Sequence, residues 1–387
     1  MPKKRFRAET DRDAKTRPTI LFIIHVWGGG TIRFAHELAD LISDRVDVVW
    51  AWGVDNTTIH ISTRAPYEAE QSFNLAEGLD APLRALNAFK LNRVNVIHTI
   101  GLQAHIADLM ERLAVPYDVT LTDYHHFYGA PHFEDHSGRF IGDAAVAAIA
   151  RTARSNIPPL LRKAERRIAV SQDLAYRAGT FMPGFPIIPV RIVEPNIAID
   201  APVKIAPLAD CEVMRVLALG KPHLTKGRAT IVDVARRAER ENFPMEIICL
   251  GELDPTLPDI LSALPRVRTL GAYRQEELAG IIAQLKPHLA WFPFNVPETH
   301  SYALSDVMSF GLPVLASGIG AVAERVVRRP STWVVPFDDV NADNFFHWFE
   351  RLYRDRLQTP PHWQLVDNLP LLAKNFYPSD YLDPISN

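Results

Sequence analysis

Two cysteines in 387 residues cannot build a disulfide framework. Cys211 and Cys249 have no metal-ligand spacing, and each sits beside or within an expected strand, so both read as reduced packing residues. An excess of one charge is missing too: 42 Lys+Arg stand against 45 Asp+Glu, a formal charge of −3. That balance excludes a global basic field of the kind that draws nucleic acid, so no nucleic-acid partner is expected. No apolar run reaches the roughly eighteen residues of a membrane-spanning helix. The opening stretch, MPKKRFRAETDRDAKTRP, is charged and lacks the apolar centre of a secretory signal, which points to a cytoplasmic place. Short repeats and low-complexity tracts are absent from the sequence as well.

What is present is ordinary globular composition, 47% hydrophobic and 22% charged. A single core stops growing at about 250–300 residues, so a chain of this length is expected to divide in two. Residues 1–17 read as a basic flexible tail and 18–196 as a first domain. The stretch 197–212 reads as a linker, 213–357 as a second domain, and 358–387 as a tail that packs back on the first.

Within each domain, short β-rich runs alternate with amphipathic segments, the pattern of a parallel sheet covered by helices. In the first half the expected strands are Thr19–Val26, Val46–Trp52, Val94–Thr99, Asp118–Leu121, Arg167–Val170 and Ile192–Glu194. In the second they are Met214–Leu219, Met245–Leu250, Val267–Leu270, Leu289–Phe292, Val314–Ala316 and Thr332–Val335. The long polar stretch Thr122–Gly142 follows a strand C-terminus, where open α/β sheets place ligands, and is expected to be a site loop.

Three features carry chemistry. Gly28-Gly29-Gly30 joins the first strand to its helix, and glycines there let backbone amides approach an anion. Arg33 stands where a dinucleotide fingerprint needs its third glycine, so the run is either another phosphate cradle or a structural turn. Gly220-Lys221-Pro222-His223-Leu224-Thr225-Lys226-Gly227 follows the first strand of the second domain. Its two lysines can converge on a diphosphate, although the spacing is not that of a Walker loop. The third is Pro297-Glu298-Thr299-His300-Ser301-Tyr302-Ala303-Leu304-Ser305-Asp306, with Phe310-Gly311-Leu312-Pro313-Val314 behind it. Glu298 precedes the expected helix and Asp306 lies on it, two carboxylates a little over two turns apart that can serve one ligand or simply cap and solvate the helix.

Two other clusters admit alternative readings. His125, His126, His132, Glu134, Asp135 and His136 are metal-ligand types, but their spacing fits no zinc motif, and a polar histidine-rich loop is the simpler reading. Arg151–Arg167 carries six basic residues around Leu160 and Leu161, suited either to an anionic membrane surface or to a solvated helical face.

Taken together, the glycine loop with Glu37-Leu38-Ala39, the segment Glu194-Pro195-Asn196, the lysine loop and the stretch from Pro297 to Ala316 resemble the retaining group 1 glycosyltransferases, family 4. The resemblance spans most of the chain. It implies a GT-B architecture of two Rossmann-like domains facing a cleft, with a nucleotide-sugar donor and no cofactor or metal. It further implies that Lys221 and Lys226 neutralise the donor diphosphate with the amides of Gly29 and Gly30. Glu298 would meet the donor sugar and Asp306 the ribose, with amides at Tyr302, Ala303 and Leu304 holding oxygens and Gly251, Glu252, Tyr273 and Arg274 bordering the base. Asp123 and His125 would orient a glycan, lipid-linked or small-molecule acceptor. The sequence departs from the family pattern in three places: Lys221 replaces the usual arginine, Asp306 replaces glutamate, and Thr122-Asp123-Tyr124 replaces a His-Asp-Tyr triplet. A catalytically weak binding protein of the same fold is the alternative, and another GT-B enzyme, an epimerase or phosphorylase, a third.

Overall fold

The computed structural model describes residues 17–192, 194, 197–198, 201–255, 259–363 and 382. Most of the expected N-terminal tail, Pro195 and Asn196, and most of the chain beyond Trp363 lie outside the described residues. The first half runs β1 (Thr19–His25), α1 (Gly30–Ile42), β2 (Asp47–Gly53), β3 (Thr58–Ser62), β4 (Gln71–Asn74), α2 (Asp80–Asn87), β5 (Arg93–Val96) and α3 (Ile106–Leu113). It continues through β6 (Tyr117–Leu121), α4 (His125–Tyr128), α5 (Asp143–Ala153), α6 (Pro159–Lys163), β7 (Arg166–Ala169), α7 (Gln172–Phe181) and β8 (Ile188–Pro189). The second half runs β9 (Met214–Leu219), α8 (Arg228–Arg240), β10 (Met245–Leu250), β11 (Val267–Thr269), α9 (Leu278–Leu285) and β12 (Leu289–Phe292). It ends with α10 (Tyr302–Ser309), β13 (Val314–Gly318), α11 (Gly320–Val326), β14 (Thr332–Pro336), α12 (Ala342–Arg354) and β15 (His362–Trp363).

Among the described residues the strands form two sheets, ordered β4-β3-β2-β1-β5-β6-β7-β8 and β11-β10-β9-β12-β13-β14-β15. Of the pairings between these described strands, β2–β3 and β3–β4 are antiparallel and the rest parallel. Each sheet starts at an inner strand, is built outward on one side, then returns to the other. A crevice therefore opens at the strand C-termini beside β1 and beside β9, where open α/β sheets bind ligands.

The second sheet shows why its strands read as nearly continuous apolar runs. Met214, Val216 and Ala218 of β9, Met245, Ile247 and Cys249 of β10, and Leu289 and Trp291 of β12 enter one core, which α8 and α12 cover. Leu217 and Leu219, Ile248 and Leu250, and Ala290 and Phe292 enter another on the opposite face, against α9, α10 and α11. Alternate side chains point to opposite faces, and a parallel sheet covered on both is apolar at nearly every position. The exceptions in β9 and β10, Arg215 and Glu246, stand second in their strands, are only half-buried and pair with Glu212 and Arg268. In the first sheet Asp118 of β6 is fully buried and is held by Arg93 of β5 at 2.6 Å and Arg166 of β7 at 2.7 Å.

Several expectations are corrected. The expected strand Ile192–Glu194 falls partly outside the described residues; Ile192 and Glu194 carry no strand, and among the described residues the sheet ends at β8, where Pro189, which has no N–H to donate, suits an edge. The hairpin β3–β4 is not among the expected strands, although Ile59 and Ile61, both buried, alternate with Thr58, His60 and Ser62; β4 has only Phe73 as an apolar residue. Loop 122–142 contains the short helix α4. The second sheet reaches β15, beyond Leu357, while Leu382 is buried in the first core. Cys249 is a packing residue whose thiol burial pushes up to about 12, but Cys211 is exposed with φ 60°. The basic segment 151–167 is not one helix. It breaks into α5, α6 and β7, and Arg167 is buried with its guanidinium on the carbonyls of Leu161, Arg162 and Ala164.

The two halves meet closely. Val296 and Ile319 of the second enter the core of the first. Tyr124 donates to the Pro297 carbonyl at 3.2 Å and Thr299 to the Thr122 carbonyl at 2.6 Å. The Glu324 carboxylate of α11 accepts the amides of Gln172 (3.2 Å) and Asp173 (3.0 Å) at the start of α7.

Candidate functional site

The glycine loop leaves β1 with Gly28 at φ 81° and Gly29 at φ 80°, left-handed conformations that glycine adopts without penalty. Gly30 lies close to the other domain: a Cβ there would sit 3.3 Å from the Tyr302 ring, a tight contact that the ring would have to yield to. Among the described residues α1 has no side-chain cap and no acid in its first turn, so its N-terminal amides remain available to an anion.

Across the cleft, the chain leaves β9 through Gly220 and Lys221 and makes a 3-10 turn at Leu224–Lys226. It then turns at Gly227 (φ 80°), where a Cβ would lie 1.9 Å from the Pro293 carbonyl oxygen. Lys226 contacts the Glu298 carboxylate and lies 4.5 Å over the Phe294 ring. Burial pulls its ammonium down to about 7, while the adjoining carboxylate favours the charged form. Lys221 is 3.8 Å from the buried Asp254.

Glu298 is held by its backbone: its carbonyl accepts the Ala321 amide at 2.7 Å, and Gly320 lies so close that a Cβ would be 2.5 Å from the Glu298 nitrogen. Ser301, at φ 71°, caps α10 by accepting the Leu304 amide. Beneath this turn the buried Glu194 accepts from Ser305 (2.6 Å), pairs with His300 (2.8 Å) and lies 3.6 Å from Arg325. Asp306 faces away from solvent and is already engaged by Gln275 at 2.9 Å and, across the domain boundary, by Arg33 at 3.4 and 3.5 Å. Burial lifts the Asp306 carboxyl above its usual range even though Arg33 and Gln275 oppose this. The Arg33 guanidinium stacks 4.3 Å over the Tyr302 ring.

From the first domain, Asp123 enters at the end of β6. Its carboxylate accepts the His125 amide at 2.8 Å and lies 3.2 Å from His98 Nε2. Burial would raise its pKa, but the bond from His98, the histidine charges and the His125 amide together hold it below the ordinary carboxylate value. His98 Nδ1 accepts the Ile100 amide, which leaves Nε2 to donate to Asp123. His25, His125 and His126 surround His98 at ring separations of 4.5 to 5.5 Å. Burial first, then His98, holds the His25 pKa down to about 4 and that of His126 to about 3.

These parts enclose a cavity of about 550 Å³. Of the expected site residues, Gly29, Gly30, Asp123, Lys221, Lys226, Glu298, Tyr302 and Ala303 line it. His125 does not; it is stacked on His98, behind Asp123. Leu304 is fully buried in the second domain's core. Asp306, Gly251, Glu252, Tyr273 and Arg274 also lie off this lining. Gly251 packs against Gly220, Glu252 is exposed, and Arg274 points outward to Glu277. Tyr273 is near Asp306, and burial pushes its phenol up to about 12. The histidines of metal-ligand type disperse: His126 bonds the Ile97 carbonyl, His136 is exposed, and His132 lines the cavity.

Sequence reasoning gave no ligand role to His98, Glu194 or Gln275, and named His132 only as a ligand type. His98 was findable, because it follows β5 directly, at the sheet end where ligands bind. The others depend on contacts between distant segments.

No protein-family model and no curated protein matches this chain. Solved structures do. Sucrose-phosphate synthase from Thermosynechococcus elongatus is similar at a TM-score of 0.59 and 17% identity, over 88% of this chain and 90% of that one. Anabaena HepE in complex with UDP-glucose is similar at 0.58 and 14%, over 87% and 90%. The lipopolysaccharide outer core galactosyltransferase WaaB gives 0.56 and 13%, over 88% and 91%. At these identities the likeness establishes the fold: α/β, of the GT-B type, with two Rossmann-like domains facing a cleft.

Proposed function

We propose that this chain is a glycosyltransferase that moves a sugar from a nucleotide-sugar donor to a glycan, lipid-linked or small-molecule acceptor, with retention of anomeric configuration. One juxtaposition carries the reading: the cavity sets Lys221, Lys226 and Glu298 of the second domain against the uncapped start of α1 and Asp123 of the first. The fold shared with sucrose-phosphate synthase and with HepE, the latter solved with UDP-glucose, supports a nucleotide-sugar donor. Breaking the bond between an anomeric carbon and a diphosphate leaves negative charge on phosphate. Lysines and helix N-terminal amides in an enclosed site stabilise that charge where it develops, so the reading calls for no metal or other cofactor. Glu298 faces the donor sugar, Asp306 the ribose once Arg33 moves aside, and Asp123 the acceptor hydroxyl. In a front-face transfer the leaving phosphate accepts the acceptor's proton as the new glycosidic bond forms.

The test is incubation with UDP-, GDP- and ADP-sugars, following released nucleoside diphosphate with and without sugar acceptors and assigning the product anomer by NMR. An inverted product removes the retaining mechanism. No binding or turnover of any donor removes the reading altogether. Binding without turnover favours the weak binding protein, which the threonine at position 122 and the engaged Asp306 support. A cytoplasmic place with peripheral membrane contact belongs to the same proposal. Among the described residues no helix is long and apolar enough to cross a membrane, and liposome flotation tests the contact.

A further inference from the structure

The loop after α4 crosses from the first domain to the lysine loop of the second. Gly138 (φ 78°) packs so tightly there that a Cβ would be 2.5 Å from Leu224 Cβ. The Phe140 amide donates to the Asn295 carbonyl at 2.8 Å, and Asn295 in turn donates its own amide to the Thr225 carbonyl and its side chain to the Leu224 carbonyl. A first-domain segment is thus strapped to the turn that carries Lys226. On it stands His132, which lines the cavity with Lys221, Lys226 and Glu298. Its Nδ1 is sealed from solvent and has no hydrogen-bond partner among the described residues. A nitrogen left this way is costly, and because the ring borders the cavity, a ligand there can supply the missing partner once the imidazole turns.

We propose that His132 is a third ligand of the donor diphosphate, from the opposite wall to Lys221 and Lys226, and that it takes up a proton as the nucleotide binds. The proposal rests on the nucleotide-sugar reading of this cavity. The charged groups around the ring are Lys221, Lys226 and His223 on the lysine loop, Glu298 and His300 before α10, and Asp123. With the cavity empty, burial and then Lys226 hold the imidazole down to about 4, so it is neutral at pH 6. A diphosphate brings negative charge to the same space and shifts the balance toward imidazolium.

The experiment is calorimetric titration of the full chain with UDP, GDP and ADP in buffers of different ionisation enthalpy, at pH 6 and pH 8. Lys226 and the phosphate contribute proton exchange of their own, but these remain in His132→Gln. Wild type is expected to take up about half a proton or more beyond His132→Gln at pH 6, and the variant to bind about ten-fold more weakly there than wild type. His136→Gln, on the same loop but outside the cavity, is expected to match wild type. Labelling wild-type histidines with 15N supplies a measurement that needs no variant: one imidazole should move to the protonated pattern on adding nucleotide at pH 6. If a nucleotide binds and neither the proton difference nor the imidazole shift appears, the role of His132 is overturned and the cavity reading stands. If no nucleotide binds wild type, the cavity reading itself fails.

Discussion

Replacing Arg33 with methionine tests whether the ribose end of the donor site is held shut by the protein's own charges. Arg33 reaches Asp306 only at 3.4 and 3.5 Å, near the outer limit of a hydrogen bond, while Gln275 holds the same carboxylate at 2.9 Å. Arg33 is also tied to Glu37 at 2.9 Å and stacked on Tyr302, so it has other partners when Asp306 is released. A long, partly exposed ion pair of this kind contributes about 1 kcal/mol. A ribose that must displace it loses that much affinity, about five-fold. Arg33→Met should therefore tighten binding of nucleosides by about five-fold. Nucleosides are the right probe because they carry no phosphate to interact with the lost charge.

Asp306→Ala should act in the opposite direction. A hydroxyl bonded to a carboxylate is worth about 1.5–3 kcal/mol, so its loss weakens nucleoside binding about ten-fold or more. The double variant should bind like Asp306→Ala alone, because Arg33 acts on the ribose only through Asp306. That non-additivity is the signature of the latch. Titrations followed by NMR suit affinities this weak. Unchanged or weaker nucleoside binding in Arg33→Met, or strictly additive variants, would refute the reasoning and leave Arg33 and Asp306 as an ordinary interdomain contact.

Other consequences are more direct. Lys226→Met should lower turnover by about 10²–10³ by removing a charge aimed at the leaving group, measured as kcat with a saturating donor. In Glu298→Gln the buried ammonium loses its carboxylate, so affinity for a nucleoside diphosphate should fall more steeply than in wild type as pH rises through about 7. Gly227→Ala forces a Cβ to 1.9 Å from the Pro293 carbonyl oxygen at φ 80°, and should cost on the order of 3 kcal/mol or more in urea unfolding. Burial raises Glu324 to about 7 from an ordinary 4.5, so the folded chain keeps a proton that the unfolded chain has released between those values. Stability is present below 4.5 and lost as pH rises through 7. Glu324→Gln should therefore gain on wild type between pH 5 and pH 8, by on the order of 3 kcal/mol, read from paired urea titrations.

The two sheets are legible because a parallel strand covered on both faces is apolar at nearly every position, and a helix lying on it is apolar on one side. β9, β10 and β12 have the limits expected from the sequence for that reason. β3 carries a readable signal in the alternation of Ile59 and Ile61 with Thr58, His60 and Ser62, but β4, with Phe73 alone among polar residues, is held as an antiparallel edge through its backbone and gives none. The lysine loop, Glu298 and the glycine run could be read because each is a local motif beside a strand end. Asp306 kept its place on the helix but not its freedom, since its partner Arg33 lies 273 residues away in the chain. His132 looked like one member of a histidine-rich loop. Only the docking of Gly138 on Leu224 puts it in the cavity while His125 and His126 turn inward.

Near-neutral net charge takes a specific form in this cleft. Lys226 is matched by Glu298, Lys221 by Asp254, Arg33 by Asp306 with Glu37, and Glu194 by His300 and Arg325. Each cation proposed for the diphosphate thus already has an acidic neighbour, and the acid proposed for the ribose already has a cation. A ligand that brings a diphosphate and vicinal hydroxyls together can exchange both sets at once, which a lone phosphate or a lone nucleoside cannot. Selectivity for the whole donor over its fragments then follows from paired charges, with each fragment left to break a contact that it cannot fully replace. The coupling is measurable: a nucleoside diphosphate should bind more tightly than the summed free energies of nucleoside and pyrophosphate allow, once the entropy of joining them is referenced to Arg33→Met, and the excess should shrink in that variant.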